Sequence, residues 1–284
     1  MIYIINLDKR IERIQFLETK FLESGGKFKR LSAVDGATLS KEYFIEFEKY
    51  VNSKRSPNLR NNEILRPNQI GCSLSHFNIY SNLIRSEDEF CVILEDDIDF
   101  SNEFIEMIQD IKHDKIEQDA SIIMFGYYKN NNKIEPSKKS IIFPKKNKLT
   151  SKINCFQPID WYFGSHGYVI NKKAAKIILD TFEYPTLPAD YLLTYAPKLG
   201  IKLRVTEFPL VWINEFGLET SDIQVSSDSF SETTKQNIKF GPRSFLVFVF
   251  KKCAELYLSI YRFLRSNFTY SEVPFYVKKM PIHD

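Results

Sequence analysis

Four carboxylic acids fall within five positions, at Glu95, Asp96, Asp97 and Asp99, directly after the apolar run Phe90-Cys91-Val92-Ile93-Leu94. Like charges packed this closely repel unless a cation or hydrogen-bond donors intervene. Hard carboxylate oxygens suit Mg²⁺ or Mn²⁺, commonly with a substrate phosphate as co-ligand. The apolar run is short and partly β-branched, so it reads as an inner strand covered on both faces. In open α/β sheets ligands bind beyond the carboxyl ends of the strands, which is where these acids fall. Side-chain alternation would put Glu95 and Asp97 on one side. The plainer reading is a solvated acidic turn before a helix capped by Ser101 or Asn102.

Other candidates are spread along the chain. Arg10 and Arg13 sit on the first turn of a helix that follows a strand at about 2–6. Guanidinium groups there suit a diphosphate or a base edge, or simply pair with Asp8 or Glu12. Ala33-Val34-Asp35-Gly36 ends a second strand, with Gly36 turning Asp35 to the same sheet edge or making an ordinary turn. Gly71, Ser73 and Ser75 let the helix that carries His76 approach another backbone or a ligand closely; His76 itself is a hydrogen-bonded core histidine or a catalyst. Trp161-Tyr162-Phe163 before Gly164-Ser165-His166-Gly167 is an aromatic platform for a sugar face, or core. Asp190 opens a helix, where negative charge is favourable in any case and a general base is the functional alternative.

Elements of α/β type must position these groups. Strands are expected at about 2–6, 28–34, 90–94 and 122–126. Helical spacing marks Ile11, Ile14, Leu17 and Phe21 (stopped by Gly25-Gly26), residues 40–52, the run from Ile70 to Ile84, residues near 102–112, and Ala174 to Leu179 capped by Asn171. Residues 53–68 read as a polar loop ending at Pro67. Residues 127–150, with seven Lys against one acid, read as a long flexible loop able to close over phosphates.

The chain carries a net charge of +3, unevenly distributed. Residues 235–284 hold nine Lys/Arg against three acids, leaving 30 basic against 33 acidic residues elsewhere. This divides the chain into a body, 1–234, and a basic, aromatic-rich helical extension, 235–284. Cys72, Cys91, Cys155 and Cys253 show no ligand-like spacing with the four His, which argues against a zinc site and a disulfide framework and fits a reducing compartment. The start lacks the pattern of a signal peptide, and no stretch offers the ~18 uninterrupted apolar residues of a membrane span.

Taken together, Ile5-Asn6-Leu7-Asp8 with Arg10 and Arg13, Ala33-Val34-Asp35-Gly36, Ile70-Gly71-Cys72 with Ser75-His76, and Ile93-Leu94-Glu95-Asp96-Asp97 form an ordered series. Gly164 to Ile170 with Ala174-Ala175, and Pro188-Ala189-Asp190, complete it. The series resembles glycosyltransferase family 25, which includes lipooligosaccharide galactosyltransferases of Gram-negative bacteria, over about residues 1–225. The resemblance implies a GT-A-type, Rossmann-like α/β domain with a mostly parallel central sheet. It also implies an inverting transferase dependent on Mn²⁺ or Mg²⁺, moving galactose from UDP-galactose onto a lipooligosaccharide or lipid-linked acceptor. Asp97 and Glu95 match the metal-binding acidic motif, a variant of Asp-x-Asp. Asn6, Arg10, Arg13, Asp35, Gly36, Ser75, His76, Glu95 and Asp96 are then expected at the nucleotide-sugar, and Trp161, His166 and Gly167 at the acceptor. Asp190 matches the expected base. A further metal ligand is not evident, Asn214 and Asp222 being open choices. Nucleic acid is not an expected partner. A cytoplasmic protein is expected, peripheral on the cytoplasmic face of the inner membrane through the extension, the alternatives being that the extension packs against the catalytic domain or against a second subunit in a homodimer. A metal-dependent phosphoester hydrolase is the alternative enzyme, disfavoured by the few scattered His. A non-catalytic carbohydrate-binding protein on the same fold is the third reading.

Overall fold

The chain opens on β1 (Ile2–Asn6), whose five side chains are all buried. Alternation sorts them: Ile2 and Ile4 enter one core, Tyr3 and Ile5 the other. The computed structural model describes residues 1–54, 65–111, 116, 119–129, 146–158 and 162–214. Trp161, Asp222 and the expected extension 235–284 lie outside the described residues, as does the boundary between 234 and 235.

The same alternation recurs in the neighbouring strands. In β3 (Phe90–Glu95), Cys91 and Ile93 face one core while Val92 and Leu94 face the other. In β5 (Ser121–Lys129), Ile122 and Met124 oppose Ile123 and Phe125 in this way. A strand buried on both faces must be apolar throughout, which explains the continuous runs in the sequence.

The other strands are β2 (Lys29–Ser32), β4 (Ile98–Phe100), β6 (Lys146–Lys148), β7 (Asn154–Phe156), β8 (Tyr162–Asn171), β9 (Lys202–Thr206) and β10 (Val211–Ile213). The described strands form one sheet of order β2-β1-β3-β8-β5-β9-β7-β6, with β10 bridging β5 and β4. Pairs β1–β2, β1–β3 and β5–β9 are parallel, and β8 runs antiparallel to β3 and β5. Five of the six strands from β2 to β9 along this path therefore point the same way, and β8 alone opposes them.

Helices cover both faces. On one lie α3 (Pro67–Arg85), α5 (Lys172–Thr181) and α6 (Ala189–Tyr195), contributing Phe77, Tyr80, Ala174, Ile178 and Leu192. On the other lie α1 (Ile11–Glu23) and α4 (Asn102–Asp110), contributing Leu17, Phe21 and Phe104. Helix α2 (Lys41–Lys54) packs Phe47 and Val51 on Ile70. Asn171 caps α5 as its position suggests, its Oδ1 accepting from the Ala174 amide at 2.9 Å.

Two boundaries differ from the sequence reading. Pro67 does not end a loop; it begins α3, where a missing amide costs nothing. The basic stretch 127–150 is not loop throughout, because β5 continues to Lys129 by pairing Tyr128 and Lys129 with Phe163 and Tyr162, and Lys146–Lys148 pairs with β7. Cross-strand pairing overrides the polar composition there. Residues 130–145 lie outside the described residues.

Candidate active site

Strand β3 ends at Glu95 and the chain turns through Asp96 and Asp97 before β4. Alternation therefore does not govern Asp97, and the three acids meet three different surroundings. Asp96 is buried, accepting from Arg13 Nη1 on Oδ1 and from Asn6 Nδ2 on Oδ2, both at 2.8 Å. Burial still pushes its carboxyl up, against the pull of Arg13. Glu95 accepts from the Ser165 hydroxyl at 2.6 Å, and its Oε1 lies 3.4 Å from His76 Nε2. Burial opposes its charge, but His76 and Ser165 outweigh it and hold the carboxyl below the usual range.

Asp97 is the exception. Its Oδ1 is buried with no hydrogen-bond partner, and its Oδ2 lies 4.0 Å from Arg13. Burial first, then the Glu95 and Asp96 charges, push it up to about 7. A buried carboxylate oxygen left without a donor beside two other acids fits a ligand for a hard divalent cation. Asp96, with both oxygens taken, does not. The end of β10 lies against this turn: the Asn214 amide donates to Asp97 O at 2.9 Å, and Asn214 Nδ2 to Ile98 O at 3.2 Å.

The groups expected at a nucleotide are tied to one another. Asn6 is buried; its Nδ2 also donates to Arg10 O at 2.9 Å, and its Oδ1 accepts from Arg30 Nε at 2.7 Å. One amide thus joins β1, α1, β2 and the acidic turn. Arg13 is buried on Asp96, where leaving the acid without its partner would be costly. Arg10 precedes α1, 3.8 Å from Glu12. Asp35 accepts from Lys9 Nζ at 2.7 Å and from the Ala37 amide at 3.1 Å, and Lys9 foremost draws its carboxyl down. Arg30 and Ser32 hold Asp8, a cluster the sequence reading did not single out.

The small residues of α3 make the close approach that their sizes allow, against backbone. A Cβ at Gly71 would lie 2.5 Å from Val34 O, and one at Gly36 only 1.8 Å from Pro67 O. Ser75 Oγ accepts from the Val34 amide at 2.9 Å and donates to Gly71 O at 2.7 Å. The loop carrying Asp35 is thereby clamped to α3. The residue after Ser75, buried His76, has its Nδ1 2.7 Å from the Tyr168 hydroxyl, which lies 2.7 Å from that of Tyr80.

Strand β8 supplies the next wall. Gly167 stands opposite Leu94 of β3 and Gly126 of β5. The His166 ring is buried between Gly126 and Gly164: a Cβ on either would come within 2.5 or 2.7 Å of it, and Gly164 has φ +130°. The Tyr128 ring lies tilted against it, the centroids 4.9 Å apart. Burial pushes His166 down to about 4, so the ring is neutral.

Asp190 stands on the first turn of α6, its Oδ1 accepting from the Tyr191 amide at 2.9 Å. Two bonds fix that helix over the site: Ser73 Oγ to Leu187 O at 3.0 Å, and Thr194 Oγ1 to Tyr162 O at 2.8 Å. Burial, with Glu95 adding to it, pushes Asp190 up to about 6. A carboxyl poised there is ionised at neutral pH yet basic enough to accept a proton. Burial first, then the charges of Glu95, Asp190, Asp97 and Asp96, push the thiol of Cys72 on α3 well above its usual range, so α3, α6 and the acidic turn surround one site. Sequence reading passed over Cys72, Tyr80, Tyr168 and Ser165. The reading of the cysteines as lacking ligand-like spacing overlooked that Cys72 and His76 stand four apart, one turn of a helix.

Helices on both faces of a mainly parallel sheet, with acids gathered at the strand ends, define a Rossmann-like α/β protein. The family described as glycosyltransferase family 25 (LPS biosynthesis protein) matches residues 1–193, and the chain belongs to it. It is 36% identical over 104 residues to a glycosyltransferase 25 family member of Drosophila melanogaster, covering 36% of this chain and 17% of that protein. It is 28% identical over 200 residues to procollagen galactosyltransferase 2 of Mus musculus, covering 68% of this chain and 29% of that one. The matches thus span less than a third of these relatives. Both are animal proteins, so the family stands and the narrower Gram-negative lipooligosaccharide assignment does not follow from them. Among solved structures, inositol-1-phosphate CTP transferase from T. maritima is similar at TM-score 0.39 and 14% identity, over 82% of this chain and 97% of that one.

Proposed function

We propose that this protein is an inverting hexosyltransferase, moving galactose from UDP-galactose to a hydroxyl of a lipid-linked oligosaccharide and forming a β linkage. The observation that carries this reading is Asp190, a carboxyl raised to about 6 and fixed by α6 above the acidic turn. Family membership supports transfer, and the procollagen galactosyltransferase relatives support galactose. Asp190 takes the acceptor hydroxyl's proton while that oxygen attacks the anomeric carbon from the side opposite the leaving diphosphate. One displacement inverts the centre, and no covalent intermediate with the chain is required. Asp97, with Glu95 beside it, would hold Mn²⁺ or Mg²⁺, which neutralises charge on a diphosphate leaving group. Asn6, Arg13 and Asp96 hold the acidic turn in place by their mutual bonds. Neutral His166 and Gly167 lie on the strand beside Glu95, where an acceptor would meet uncharged groups.

The test is product analysis with a panel of UDP-sugars against short oligosaccharides and a procollagen peptide. A β-galactosylated oligosaccharide is expected, and Asp190→Asn lowers kcat by ~10²–10⁴ with UDP-galactose affinity little changed. Retention of configuration, or loss of donor binding in the variant, would remove Asp190 from the role of base.

A further inference from the structure

Cys72 and His76 lie one turn apart on the same face of α3. That face meets the end of β3, and Cys72 Sγ, a ring nitrogen of His76 and a carboxylate oxygen of Glu95 lie within 4.8 Å of one another. His76 is 1% exposed, and its buried Nε2 has no hydrogen-bond partner although Glu95 Oε1 is 3.4 Å away. A buried ring nitrogen aimed at a thiol and a carboxylate is an unmet donor or acceptor that calls for a ligand. We propose that Cys72, His76 and Glu95 form a binding site for a soft divalent cation, Zn²⁺ above all, which shares Glu95 with the hard-cation site at Asp97.

The donor set carries the choice of ion. Sulfur, imidazole nitrogen and carboxylate oxygen are the ligands Zn²⁺ takes, and three protein ligands leave a fourth position open. Mn²⁺ and Mg²⁺ prefer oxygen alone and gain little from a thiolate. The ring is held in place by its Nδ1, 2.7 Å from the Tyr168 hydroxyl, which is itself 2.7 Å from that of Tyr80; in the tautomer with Nδ1 protonated, Nε2 would offer its lone pair to a metal. Ser165 donates at 2.6 Å to Glu95 Oε1, the same oxygen that lies 3.4 Å from His76 Nε2. Burial first, and then the charges of Glu95, Asp190, Asp97 and Asp96, disfavour the Cys72 thiolate, an effect that a dication bound at the sulfur would offset. On binding, the Cys72 thiol releases its proton to solvent and the sulfur donates its electron pair to the metal. Zn²⁺ held there would occupy Glu95 beside Asp190, and so inhibit the transfer proposed above; that consequence rests on the transferase reading, whereas the site itself does not.

The full-length, metal-free protein is titrated with Co²⁺ as a spectroscopic stand-in. The expected result is a thiolate-to-cobalt charge-transfer band that Zn²⁺ displaces at equimolar amounts and a tenfold excess of Mg²⁺ does not. Cys72→Ser should remove the band and weaken Zn²⁺ affinity by at least about tenfold, the usual size of a lost or altered metal contact. Wild-type protein gives an independent reading: Zn²⁺ should protect half-buried Cys72 from alkylation by iodoacetamide, mapped by mass spectrometry. A band that persists in Cys72→Ser, or alkylation of Cys72 unaffected by Zn²⁺, overturns the site. If the site holds and Zn²⁺ leaves galactosyl transfer untouched, the inhibitory consequence falls and the site stands; absence of any transfer bears on the function and not on the cation.

Discussion

Asp97 is the residue whose environment says most about what the site lacks. Its folded pKa, raised to about 7 by burial and by Glu95 and Asp96, exceeds the ~3.9 of an unfolded aspartate. A carboxyl raised in this way folds without penalty below pH ~4 and loses stability as pH rises through its folded value. Asp97→Asn keeps the shape and removes the charge. The metal-free variant should therefore be more stable than wild type at pH 8, by about 1–3 kcal/mol, with the gain vanishing towards pH 4. Mn²⁺ should raise the Tm of wild type at pH 8 and leave that of the variant unmoved. Parallel Tm–pH curves for the two proteins would show that the Asp97 carboxyl is not raised in the folded chain. Asp190 makes the companion prediction for activity: as a base with a pKa of about 6, it should impose an acid limb on kcat/KM that falls tenfold per pH unit below that value. A profile flat from pH 5 to 8 would exclude it. At this scale the sequence was informative about residue types and silent about partners. Four acids in five positions announced a site, but nothing in their spacing says that Asp96 is consumed by Arg13 and Asn6 while Asp97 is left without a donor. Those bonds join residues some eighty to ninety positions apart.

Elements were read more fully than sites, for a physical reason. Runs such as Phe90 to Leu94 and Ile122 to Phe125 alternate between two cores, and a strand buried on both faces leaves a continuous apolar signature. The antiparallel course of β8 left no such mark, since direction is decided by the connection and not by composition. Small residues were legible only as permission for a close approach. The structure shows what uses it: Gly36, Gly71 and Ser75 clamp the Asp35 loop to the start of α3. Gly71→Ala tests that clamp. Helix propensity favours alanine by about 1 kcal/mol. The new Cβ would stand 2.5 Å from Val34 O and 2.6 Å from Gly36 N, backbone atoms that cannot swing aside. Overpacking of this kind costs about 1–3 kcal/mol, so a net loss of stability is expected, with a lower denaturation midpoint and weaker UDP-sugar binding. An alanine variant as stable as wild type, or more so, would mean that the loop gives way and the clamp is soft.

At the scale of the whole molecule, charge divides the chain more sharply than any local motif. Residues 235–284 carry a net +6 against −3 for the rest, from nine basic and three acidic side chains. They lie outside the described residues. Leu256, Tyr257, Ile260, Tyr261 and Leu264 recur at helical spacing with Arg262 and Arg265 among them, after the pair Lys251-Lys252. Among the described residues no helix is long and apolar enough to cross a membrane. A basic amphipathic segment with aromatic anchors is suited to lie in a bilayer interface, each cation near an anionic surface contributing about 1 kcal/mol. The protein is therefore expected to co-sediment with vesicles containing anionic lipid and not with purely zwitterionic ones. Binding should fall as salt rises from 0.05 to about 0.5 M, where the Debye length shrinks to a few ångström. Replacing Lys251, Lys252, Arg262 and Arg265 by Gln in the full chain should lower the partition onto anionic vesicles at least about tenfold, since four such contacts are lost. Transfer to a short soluble acceptor should be unchanged. If the quadruple variant binds vesicles as wild type does, the segment's charge serves another partner; a gel-filtration shift from dimer to monomer in the same variant would identify that partner as a second copy of the chain.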